Sequence, residues 1–104
     1  METRTCPIND ARDALEEQGR IAGKLVRLAD DLRVRAAERG DVEAVDQILL
    51  VMDSLNDVRL RVLQVIDVAA IPLNETYLGQ VRRLDAALGK RIAALVKRLH
   101  LATS

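Results

Sequence analysis

Two side chains in this sequence belong to the types that most often serve as nucleophile, general base or soft metal ligand: Cys6 and His100. Each is the only one of its kind. A nucleophilic thiol needs a base beside it and a third group to orient that base. Cys6 precedes Pro7 in a stretch without periodic pattern, and its sequence neighbours supply neither. His100 falls in the last turn of a helical pattern, where a cation complements the helix dipole without doing chemistry. A bundle-type di-iron site needs several Glu and Glu-x-x-His pairs, which cannot be assembled from this chain. Gly-rich phosphate loops, HExxH, CxxC and nucleophile-elbow motifs are all missing. The expectation is therefore no catalytic residue, no metal ligand set and no cofactor, in a protein that is not an enzyme.

Charge offers the next chemistry. Sixteen basic and sixteen acidic residues give a formal net charge of zero, which removes the simplest case for nucleic acid or anionic lipid as partner. The balance conceals an asymmetry, because residues 41–70 sum to −4 and residues 71–104 to +4. Arg83, Lys90 and Lys97, spaced by sevens, would form a basic stripe along one helix face, suited to phosphate or an anionic membrane. No base-stacking aromatic accompanies them. An antiparallel fold would instead set the basic end of helix three beside Asp41 and Glu43, so nucleic acid and membrane rank as the second reading.

The elements that carry these residues are helices. The composition is 49% hydrophobic and 31% charged, and Tyr77 is the one aromatic residue. A core must then come from Leu, Ile, Val and Ala, which suits a helical bundle better than a sheet. Leu15, Ala22, Leu25, Ala29, Leu32 and Ala36 recur at three- and four-residue steps. Pairs Glu16/Arg20 and Asp31/Arg35 would support the wet side of that helix. Arg39-Gly40-Asp41 is a stop and restart, with Gly40 able to turn left-handed and Asp41 able to cap the next helix. Pro72 ends helix two, Asn74 caps helix three, and Leu73 with Leu78 forms a hydrophobic staple. Helix three then reads Tyr77, Val81, Leu84, Leu88, Ile92, Leu95 and Leu99. The expected architecture is all-α: a flexible N-terminus at 1–8, then three long helices at 9–39, 42–70 and 75–101. They pack as an antiparallel up-down-up bundle completed by oligomerisation. With no apolar leader or spanning segment in the sequence, the expected location is cytoplasmic.

Helix two is the anomaly. One seam reads Val45, Ile48, Met52, Leu55, Val62, Ile66 and Ala69, interrupted by Arg59; a second reads Val51, Leu55, Val58, Val62, Val65 and Ala69. Leu49, Leu60 and Leu63 lie on a further flank, leaving a narrow wet strip around Asp53, Asp57, Arg61 and Gln64. A helix apolar on nearly every side is normally buried, and two neighbours cover only part of one. The sequence thus predicts a protein-interaction module that meets itself or another helical protein through Val51, Val58, Leu60 and Val65.

Overall fold

The structure, a computed structural model, describes residues 7–66 and 75–103. They form three helices, α1 (Pro7–Glu38), α2 (Val42–Ile66) and α3 (Glu75–Thr103), with no strand among the described residues. α1 starts at Pro7, two residues ahead of the expected Asn9, because the first helical position has no use for the missing N–H. The expectations for residues 1–6, for the end of helix two beyond Ile66, and for Leu73 and Asn74 lie outside the described residues.

Gly40 and Asp41 turn the chain between α1 and α2. Gly40 has φ 72°, which a side chain would oppose. The Gly40 N–H donates to the Ala37 carbonyl and the Asp41 N–H to the Ala36 carbonyl, both at 3.0 Å, the paired bonds of a Schellman motif. Asp41 then caps α2, accepting at Oδ1 from the Ala44 N–H at 3.1 Å. One residue thus closes the first helix and opens the second.

Leu15, Ala22, Ala29 and Ala36 put one fully buried side chain per heptad on α1. Three of the four are Ala, so the neighbouring helices come close. A Cβ added at Gly19 would sit 3.2 Å from Cγ1 of Val62. α2 contributes Ala44, Ile48, Val51, Leu55, Val58 and Val62, and α3 contributes Tyr77, Val81, Leu88, Ile92, Leu95 and Leu99. No polar or charged residue is buried among the described residues. Arg12, Gly19 and Gly23 of α1, in ascending order, lie beside Ile66, Val62 and Arg59 of α2, in descending order. The Gln18 side-chain amide donates to Asp85 at 3.1 Å, fixing α3 against α1. α3 meets the end of α2 where the Tyr77 hydroxyl donates to the Val65 carbonyl at 3.2 Å. Arg12 donates to the neighbouring Ile66 carbonyl at 3.4 Å, so both flanking helices supply donors to adjacent carbonyls of α2, those of Val65 and Ile66.

Candidate interaction surface

α2 has more apolar surface than its two neighbours cover. Both seams read from the sequence turn inward: Ile48, Val51, Leu55, Val58 and Val62 are buried, and Val45, Met52, Val65 and Ile66 pack partly against the core. The four residues assigned to partner contact therefore divide. Val51 and Val58, 3% and 0% exposed, belong to the chain's own core and present nothing at the surface. Val65 is half-buried at the same core, and Leu60 is exposed. The two rows share Leu55 and Val62, so one packed face of α2 takes in both.

What remains open, besides Leu50 on another side of the helix, is the leucine flank. Leu49, Leu60 and Leu63 are 42%, 56% and 54% exposed. Val42, Leu49, Asn56 and Leu63 follow one another at intervals of seven, the repeat that keeps side chains on one face of a helix. Leu60 sits one turn from Asn56 on the same side. Toward its C-terminal end the flank opens into a groove of about 520 Å³ between α1 and α2. Gly19, Gly23, Val62, Leu63 and Ile66 supply its apolar walls, while Arg20, Lys24, Arg27 and Arg59 surround it with Glu16 as the one carboxylate. The glycines leave the groove its depth, since a larger residue at either would fill the floor.

The charges are arranged differently from the sequence expectation. Arg20 pairs with Glu17 and Arg33 with Asp30, each at 2.8 Å, in place of Glu16/Arg20 and Asp31/Arg35. Asp41 and Glu43 share a shallow hollow with Arg98, placing the ends of α2 and α3 together, but no ion pair joins them among the described residues. The bond between these helices lies at mid-length instead, where Arg91 donates to Asp57 at 2.7 Å. Arg61 donates to the same Asp57 oxygen at 3.1 Å. These two guanidinium groups, Arg91 first, hold the Asp57 carboxyl below its ordinary value of 3.8.

Arg83, Lys90 and Lys97 are all exposed on α3, without a carboxylate partner among the described residues; Arg83 donates only to the Gly79 carbonyl, at 3.2 Å. His100 is exposed near the end of α3, and Cys6 lies outside the described residues. No three His, Cys, Asp or Glu side chains among the described residues come close enough to hold a metal ion. No described helix is long and apolar enough to cross a membrane. Compared with protein-family models, curated proteins and solved structures, the chain matches none.

Proposed function

We propose that this chain is a non-enzymatic helical protein-interaction module, of the adaptor, regulator, secretion-chaperone or immunity kind, acting as a homodimer through α2. In this reading the three helices run up, down and up, antiparallel in sequence order, and association completes the bundle. The observation that carries it is the open leucine flank. Each such side chain is already about half covered, so removing the rest from water gains roughly half of the ~1.5–3 kcal/mol of full burial, and the six leucines of a dimer together supply a driving force for association. The contacting residues are Leu49, Leu60 and Leu63, with Val51 and Val58 supporting them from inside. Sedimentation or light scattering tests the reading: the wild-type chain forms a dimer, and Leu60→Gln with Leu63→Gln gives a helical monomer. A wild-type chain that stays monomeric at roughly 100 µM would rule out self-association in any useful range.

A second reading rests on the unpaired row Arg83, Lys90 and Lys97, which faces solvent and could hold phosphates of nucleic acid or an anionic membrane. Its test is binding of DNA, RNA and anionic vesicles at two salt concentrations. Replacing all three residues with Glu abolishes salt-sensitive binding if this reading holds.

A further inference from the structure

The leucine flank of α2 is built with a symmetry that names its occupant. Counting outward from Asn56, three residues one way is Asp53 and three the other way is Arg59. Four residues out stand Met52 and Leu60; seven out stand Leu49 and Leu63. At these three spacings, the ones that lie on the flank, each apolar position has an apolar counterpart across Asn56, and acidic Asp53 has basic Arg59. Charge around the flank follows the same division. Asp46 and Asp53 are exposed on the first half, while Arg59, with Lys24 and Arg27 of α1, surrounds the groove on the second. Asp46, Asp53, Lys24 and Arg27 have no ion-pair partner among the described residues. Arg59 holds only the Asn56 amide oxygen, at a long 3.4 Å.

A surface whose halves complement each other is what a two-fold interface requires, since the same patch must serve both subunits. Resting on the self-association reading above, we infer that the occupant is a second copy of this chain, laid antiparallel across α2 about a two-fold axis at Asn56. Leu49 then meets the second copy's Leu63 at the mouth of its groove, and Asp53 meets the second copy's Arg59. The second copy's Asp46 approaches the cationic rim formed by Lys24 and Arg27. The two Asn56 amides face each other on the axis, where a polar pair fixes register as a single polar position does in a coiled coil. A parallel alignment would instead bring Asp53 against Asp53 and Arg59 against Arg59, which like-charge repulsion opposes.

Two sets of variants test the orientation, all at exposed positions of α2. Asp53→Arg and Arg59→Asp each weaken the dimer by about tenfold, and the double exchange restores it, because the pairs re-form with reversed sign. In a Cys6→Ala background, Leu49→Cys chains mixed with Leu63→Cys chains oxidise to the mixed disulfide in preference to either homodisulfide. A dimer in which Leu49→Cys cross-links to itself, or in which the double exchange restores nothing, overturns the antiparallel two-fold and leaves self-association standing. A wild-type chain that sediments as a monomer overturns self-association itself.

Discussion

Asp57 of α2 accepts from Arg91 of α3 at 2.7 Å, the one ion pair that joins two helices among the described residues. Both side chains are partly exposed, so the pair chooses how α3 sits against α2 more than it holds the fold together. Its carboxyl is held below its ordinary value, which makes the contribution pH-dependent. A group with a depressed folded-state value stabilises above its unfolded value and loses that effect as pH falls through the folded one. Stability should therefore decline as the solution is acidified below about 3.8, and the Asp57→Asn variant should show a shallower acid limb. Urea unfolding of both proteins between neutral and strongly acid pH is the measurement. An unchanged acid limb in the variant would remove Asp57 from the account.

The two α1 glycines facing α2 respond differently to alanine. A Cβ at Gly23 would lie 3.7 Å from the Arg59 side chain, an ordinary contact. Gly23→Ala should stabilise the monomer by about 0.5–1 kcal/mol through helix propensity alone. At Gly19 the new atom would meet buried Val62 at 3.2 Å, so crowding offsets the same gain. Thermal unfolding should rank Gly23→Ala above Gly19→Ala.

Neighbouring positions on α2 separate folding from association. Val58 is fully buried, and Val58→Ala should cost about 2 kcal/mol in unfolding experiments. Leu60, two residues on, is mostly exposed, and Leu60→Gln should leave monomer stability within about 0.5 kcal/mol while weakening the dimer. Equal destabilisation by the two substitutions would contradict the burial pattern.

At the α1–α2 turn, Gly40→Ala places a Cβ in the left-handed region and should cost about 1–2 kcal/mol. Asp41→Ala removes the acceptor of the Ala44 N–H and should cost about 1 kcal/mol. Circular dichroism of both variants through a thermal melt checks these values.

Much of this architecture is legible in the chain itself because helices announce themselves locally. The heptad Leu15, Ala22, Ala29, Ala36 and the row from Tyr77 to Leu99 follow from periodicity, and Gly40-Asp41 from turn chemistry. Long-range choices are not local. Which of the α2 seams its neighbours would cover depended on how α1 and α3 rotate about it, and this moved Val51 and Val58 from a supposed contact face into the core. The ionic partners changed for the same reason. Arg91 reaches Asp57 across the helix interface, and short-range geometry on α1 favours Glu17 and Asp30 over the expected carboxylates. A groove requires two helices at a fixed separation, which no local pattern encodes, so the place of Gly19 and Gly23 on its floor is not legible in the sequence.

Tyr77 gives the molecule an optical property as well as a structural one. With no Trp or Phe in the chain, all aromatic side-chain absorption and emission in the near ultraviolet comes from this single phenol. Its hydroxyl is tied to the Val65 carbonyl, so the signal reports on one place, the contact between the end of α2 and the beginning of α3. Departure of α3 from α2 changes the emission of Tyr77 without any label being introduced. The leucine flank can change occupancy elsewhere on α2 while that signal records whether the helices beneath it stay together.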